Sequence, residues 1–200
     1  YTDEQKKLLV DSINAVRSAL KSIENAEEAV KKADAMPAAD KTRPDDKTAM
    51  DAYAAAREAY DALTEDEKRM AGERTKATLD AMLNALTAYE VTSGDGSTWM
   101  ENDGDLCFIV NGYHQKLTDV VINGAVLDKR YYEIGAGSTV ITLKGAYLQT
   151  LPAGEYTLLV RYTDGSTDGE DTFTITENVP VTPSDPADPS APKTENDHKP

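Results

Sequence analysis

Residues 141–160 read ITLKGAYLQTLPAGEYTLLV, and their punctuation decides the fold of the C-terminal half. Ile141-Thr142-Leu143-Lys144 alternates apolar with polar residues at a period of two, as a strand with one buried face must. Ala146 to Leu151 breaks that period with about one turn of helix. A second apolar run then begins at Tyr156. The segment predicts a strand, a crossover turn linking two sheets, and a long returning strand. Tyr147, Leu148 and Leu151 are placed to plug the open end of a sandwich, and Gly154 to permit the reversal into Tyr156. No histidine, cysteine or carboxylate pair lies in it, so it builds a fold rather than a site.

The period stays near two over residues 98–177. Strands are expected at Leu106–Val110, Asp119–Ile122, Ala125–Leu127, Tyr131–Ile134, Thr139–Leu143, Tyr156–Tyr162 and Thr172–Ile175. Asn123-Gly124, Gly135-Ala136-Gly137, Pro152-Ala153-Gly154 and Asp164-Gly165 separate most of them, and Asn-Gly between two apolar runs is a strong hairpin signal. About seven short strands in this span predict an antiparallel β-sandwich. Residues Asp119 to Gly165 closely resemble the X-two type of immunoglobulin-like module, once grouped with carbohydrate-binding modules. The resemblance is carried by Val121-Ile122-Asn123-Gly124, Leu127, Tyr132, Gly137 through Leu151 and Gly154 through Leu158, and departs at Glu155-Tyr156. It implies an immunoglobulin-like sandwich.

Residues 1–92 change to helical periodicity. Leu9, Ile13, Val16, Leu20, Ile23 and Val30 recur at spacings of four and three, a narrow seam expected to pack against neighbouring helices. A break at Met36-Pro37 and Thr42-Arg43-Pro44 precedes a second helix, expected to bury Ala49, Tyr53, Ala56, Tyr60 and Leu63. Thr64 and Glu67 form a capping box opening a third helix with Leu79, Met82, Leu86 and Tyr89 on one face. Three amphipathic segments predict a three-helix antiparallel bundle. Thr2-Asp3-Glu4-Gln5-Lys6 matches Thr64-Glu65-Asp66-Glu67-Lys68 at an offset of 62 residues, so the first helix reads as the last helix of a preceding unit. Ala56 to Met70, AREAYDALTEDEKRM, resembles the FIVAR-like helical repeats of Firmicute surface proteins and large secreted glycosidases. Such repeats imply a spacer or a weak binding module.

Residues 178–200 form a third region, a Pro-rich linker. Prolines at 180, 183, 186, 189 and 192 recur every third residue, the period of a polyproline II rod. Ala191-Pro192-Lys193-Thr194 resembles a sortase cell-wall sorting motif, which implies sortase as a partner. It departs from that motif at Ala191, where leucine is usual, and at Glu195, where glycine is usual.

The net charge of −15 is spread over all three regions, which leaves no basic patch for nucleic acid or an anionic membrane surface. The single cysteine, Cys107, forbids an intramolecular disulfide and reads as a buried small apolar residue inside Leu-Cys-Phe-Ile-Val. His114 and His198 lack cysteine partners, so no zinc site and no other metal site is expected, and no catalytic motif is visible. The acidic turns Asn102-Asp103-Gly104-Asp105 and Asp164 with Asp168, Glu170 and Asp171 offer oxygens to calcium but match no calcium-loop spacing, and read as solvated turns. For glycan binding the aromatic candidates are Trp99, Tyr113, Tyr131 and Tyr132. Strand alternation allows at most one of Tyr131 and Tyr132 to face solvent.

Taken together, these features predict a non-catalytic, monomeric C-terminal stalk of an exported Gram-positive cell-surface protein, without direct membrane contact. Polysaccharide or another surface protein is its expected partner, and no cofactor is expected. The alternative is a set of carbohydrate-binding-like accessory modules of a large secreted glycoside hydrolase.

Overall fold

The computed structural model describes residues 1–177; the Pro-rich tail, with the sorting-like residues Ala191, Pro192, Lys193 and Thr194, lies outside the described residues. The chain folds as an N-terminal helical region followed by a mixed β-sandwich.

Helix α1 (Asp3–Asp34) opens on a capping box in which the Thr2 hydroxyl accepts the Gln5 amide and the Gln5 side chain accepts the Thr2 amide. Acidic Asp3 and Glu4 sit in its first turn and basic Lys31 and Lys32 in its last, each favourable to the helix dipole. Helix α2 (Lys47–Asp61) is capped by Asp46, and α3 (Glu65–Leu86) by the predicted box of Thr64 and Glu67. Gly72, at φ +83°, interrupts α3 in a backbone region that L side chains rarely adopt. Asn25 Nδ2 donates to Glu67 Oε1 at 2.9 Å, and Arg74 reaches Asp34 at 3.2 Å. Residue numbers therefore rise together along α1 and α3: the two run parallel, with α2 reversed beside them.

That stagger corrects the expectation for the first helix. Because α3 begins beside Asn25, only Ala26, Ala29 and Ala33 of α1 are buried, with Val30 partly so. Leu9, Ile13, Val16, Leu20 and Ile23 are exposed. The second helix behaves as expected at Ala49, Ala56, Tyr60 and Leu63, with Tyr53 partly buried. Leu79, Met82 and Leu86 are buried, whereas Tyr89 lies past the end of α3 and packs in the sandwich core.

The sheets begin at Val91, ahead of residue 98. Strands β1 (Val91–Ser93), β2 (Ser97–Met100), β3 (Leu106–Tyr113), β4 (Leu117–Ile122), β5 (Ala125–Val126), β6 (Tyr132–Gly135) and β7 (Ser138–Leu143) precede a one-turn helix, α4 (Gly145–Leu148). Strands β8 (Gly154–Tyr162), β9 (Gly165–Ser166) and β10 (Asp171–Thr176) follow. One sheet has the order β1-β3-β7-β6; the other runs β2-β10-β8-β4-β5, with β9 on β8. Splitting the first strand between both sheets, with β2 parallel to β10, departs from the antiparallel expectation. Gly94 allows the crossing, since a Cβ there would stand 2.6 Å from the Cys107 carbonyl oxygen.

The strand order is that of an immunoglobulin-like sandwich, and a corner feature of that fold is present. Tyr156 Oη donates to the Pro152 carbonyl at 2.8 Å, tying the start of β8 to the turn before it. Two residues on, where antibody domains carry a cysteine, stands the fully buried Leu158. Phe108, Val110, Ile141, Leu143, Leu148, Val160 and Phe173 complete a core that needs no disulfide. Residues 141–160 supply the end of β7, all of α4 and most of β8, with Leu148 fully buried and Tyr147 and Leu151 packed against the core.

Candidate functional site

The aromatic side chains expected to meet a glycan do not form one surface. Trp99 is 3 % exposed, and its Nε1 donates to the Gly104 carbonyl at 2.8 Å; its ring fills the core end. Tyr132 points inward and is also buried. Both are removed as stacking platforms by the same strand alternation that exposes their neighbours. Tyr113 is partly buried and meets His114 edge-on, with ring centroids 5.1 Å apart. Tyr131 faces solvent and stacks on Tyr147 at 4.8 Å, an aromatic pair the sequence reading missed. The Arg130 guanidinium lies 5.5 Å from the Tyr131 ring and is held by Asp128 at 2.7 Å.

Cys107 corrects a second expectation. Phe108 and Val110 take the inward positions of β3, so Cys107 falls on its outer face and is exposed. The acidic turns are engaged by backbone amides, their own and that of α4. Asp103 accepts the Met100 amide, Asp105 the Gly145 amide and Asp168 the Glu170 amide. Among the described residues no group of three or more His, Cys, Asp or Glu side chains is gathered as metal ligands would be. Burial, then the nearby Asp168 and Asp95, push the Asp171 carboxyl up to about 6.

The densest polar arrangement lies where the helices meet the sandwich. Tyr89 is 6 % exposed and stacks on Tyr162 with ring centroids 4.0 Å apart. Its Oη donates to Asp164 Oδ1 at 2.6 Å, and Lys116 Nζ holds the other oxygen at 2.8 Å. Burial, and then the bond to Asp164, raise the Tyr89 phenol far above its ordinary range, so it remains a donor. Burial alone pushes Tyr162 up to about 12. The Tyr162 ring end occupies space that only a glycine could leave, since a Cβ on Gly112 would meet Tyr162 Cζ at 2.3 Å. Beside it, Asn111 accepts the Glu90 amide at 3.0 Å and donates to the Ala88 carbonyl at 3.1 Å, fastening the connecting segment to β3.

A second strap crosses from the α2 side. Ser138 Oγ donates to Asp45 Oδ2 at 2.7 Å, and Arg43 holds the same carboxylate. Burial disfavours the ionised Asp45, but the bonds from Arg43 and Ser138 outweigh it and hold its pKa below the usual carboxylate value. None of these contacts had a signal in the sequence: Tyr89 continues the helical period, and Asn111 reads as one polar residue in an apolar strand.

No protein-family model and no curated protein matches the chain. Several solved structures share partial likeness. The tri-modular endo-β-1,4-glucanase B from Bacillus halodurans is 17 % identical over 51 % of this chain and 20 % of its own, with a TM-score of 0.33. A tri-modular endo-β-1,4-glucanase from Bacillus licheniformis is 13 % identical over 56 % of this chain and 23 % of its own, with a TM-score of 0.38. Titin domain M7 is 14 % identical over 46 % of this chain and 96 % of its own, with a TM-score of 0.33. The chain thus spans about a fifth of the glucanases' length. The immunoglobulin-like character of the sandwich rests on its strand order and on the Tyr156 corner.

Proposed function

We propose that this chain is a non-catalytic rigid spacer of an exported Gram-positive surface protein, holding its helices and its sandwich in one fixed relation. The reading is carried by the junction. Tyr89 is sunk into the sandwich core, Asn111 straps the connecting segment, and Asp45 takes Ser138 from across the boundary. A hinge between free modules would expose such a segment rather than bury its one aromatic residue. The FIVAR-like resemblance of Ala56 to Met70 agrees with a spacer, and the sorting-like Ala191-Pro192-Lys193-Thr194 with a wall-facing C-terminal side.

Spin labels on the exposed Cys107 and on Glu58→Cys in α2 test this directly. A single narrow distance distribution is expected, and a broad one would end the spacer reading.

One observation favours a second reading, a polysaccharide-facing accessory module of a secreted glycoside hydrolase. The exposed Tyr131, stacked on Tyr147 beside Arg130, presents a small aromatic surface of the kind that meets a sugar ring. Binding to a glycan array, lost with Tyr131→Ala while the fold persists, would favour it. Silence on the array would leave the spacer alone.

A further inference from the structure

The first two-thirds of α1 carry an apolar stripe with nothing on it. Leu9, Val16 and Leu20 are each more than half exposed, and Ile13 and Ile23 are 43 % and 44 % exposed. Spacings of four and three put all five on one face. At its C-terminal end the stripe continues in the partly buried Val30, on the face beside Ala26, Ala29 and Ala33, which the helical core buries. It also enters an open groove of about 670 Å³ between Ile23, Ala26, Val30 and Met70. A contiguous apolar surface of this length marks an interaction site.

The fold itself shows what fits there. Since α3 starts beside Asn25 and runs parallel to α1, α1 leads it by about 22 residues, roughly 33 Å at 1.5 Å per residue. The two helices open alike. In each, a threonine hydroxyl accepts the amide three residues on at 3.3 Å, and that residue's side chain accepts the threonine amide in return. Stepping back 62 residues from the buried face of α3 carries Ala71, Thr75 and Met82 onto Leu9, Ile13 and Leu20. Leu79 and Leu86 land one residue past Val16 and Ile23. Residues 3–24 thus hold the start signal and an apolar face in nearly the register of the buried face of α3, without the reversed helix that α2 supplies to α3.

We infer that residues 3–24 of α1 are the third helix of a second three-helix unit, whose occupant is a helical hairpin of the same kind as this chain's residues 25–63. α1 is then a shared strut: its first part closes one unit and its last ten residues open the next. Each unit advances the array by the α1–α3 stagger, and the sandwich caps one end, as terminal elements of repeat arrays do. A second copy of this chain is a poorer occupant. Its own α2 is already seated on its own α1 and α3, so it could offer only another bare stripe. This inference does not depend on whether the sandwich meets glycan.

The test duplicates residues 25–63 directly ahead of Thr2 in the full chain, so that Leu63 precedes Thr2 as it precedes Thr64. Hydrogen exchange of the amides from Leu9 to Ile23 is compared with the 200-residue chain. Protection of that stretch should rise at least ~100-fold, with a gain in ellipticity at 222 nm. Val16→Glu with Leu20→Glu should leave melting of the 200-residue chain unchanged, because both side chains are exposed there, yet abolish the gain in the extended chain. An extended chain whose Leu9–Ile23 amides exchange as before would overturn the inference. So would concentration-dependent dimerisation of the 200-residue chain that protects the same amides, because the occupant would then be a second copy.

Discussion

Tyr89→Ala should separate the unfolding of the sandwich from that of the helices. The ring is 6 % exposed, stacked on Tyr162, and bonded to the Asp164 carboxylate. Truncating a buried aromatic residue to alanine costs about 3–5 kcal/mol. A hydrogen bond to a charged group accounts for about 1.5–3 kcal/mol of such a loss. Here the lower end applies, because Lys116 still holds Asp164 and the carboxylate side chain is 34 % exposed, so no charge is stranded. Tyr89→Phe should therefore cost about 1.5 kcal/mol, and Tyr89→Ala about 4 kcal/mol. Against a total stability of roughly 5–15 kcal/mol, the second figure is large.

The molecule supplies two independent probes. Trp99 is its only tryptophan and is buried in the sandwich, so its fluorescence reports that part alone. Ellipticity at 222 nm is dominated by α1, α2 and α3. In the wild type both signals should follow one urea transition, as a cooperative unit does. In Tyr89→Ala the Trp99 transition should fall by about 2 M urea, taking a slope near 2 kcal/mol/M. The 222 nm transition should stay behind. Tyr89→Phe should move Trp99 less than half as far and keep the signals together. Two separate transitions already present in the wild type, or a shift below about 0.5 kcal/mol in Tyr89→Ala, would refute the coupling.

Other consequences are independent of that junction. Gly112→Ala should unfold the sandwich or cost most of its stability, because the new Cβ would lie 2.3 Å from Tyr162 Cζ; the pair Gly112→Ala with Tyr162→Ala should recover part of the melting temperature. Asp171 is held at about 6 when folded, against roughly 3.9 for a free aspartate, so the folded state binds its proton more tightly. Its contribution is present at low pH and lost as pH rises from about 4 to 6, so Asp171→Asn should raise the melting temperature at pH 7 and change little at pH 4. Glu67 shows the opposite sign: its carboxylate, bonded first by the Thr64 backbone and then by Asn25, is held at about 2, and the stability it lends is complete above about 4.5 and lost as pH falls towards 2. Acid melts at 222 nm should lose that dependence in Glu67→Gln. Cys107 is exposed, so a thiol reagent should label the native protein stoichiometrically without denaturant; protection would mean that the outer face of β3 is covered.

Much of the sandwich was legible because its signals are local. Asn123-Gly124 and the alternation around Ile141 and Leu158 act within a few residues, and each of the seven expected strands lies on or beside one in the structure. β1 and β2 were missed because Val91-Thr92-Ser93 and Ser97-Thr98-Trp99-Met100 are too short and too polar to establish a period. What fixes them is non-local: β2 lies on β10, paired through Ile175 and Trp99, more than seventy residues away. Cys107 was misplaced for a related reason. A continuous apolar run gives no phase, and only the partner sheet decides that Phe108 faces in.

α1 shows the converse limit. Its periodicity gave the helix and set Leu9, Ile13, Val16, Leu20 and Ile23 on one side, but that side is exposed and the bundle buries Ala26, Ala29 and Ala33 instead. A hydrophobic period encodes that a face is to be covered; it carries no address for what covers it. α3 begins too far along α1 to reach Leu9, Ile13, Val16 and Leu20. The stagger is set instead by the length of α2 and by the Glu67 carboxylate meeting Asn25, a contact spanning 42 residues that no local pattern announces. The bare stripe is therefore not a failure of the helix signal. Among the described residues, the cover that signal anticipates is not supplied by these three helices.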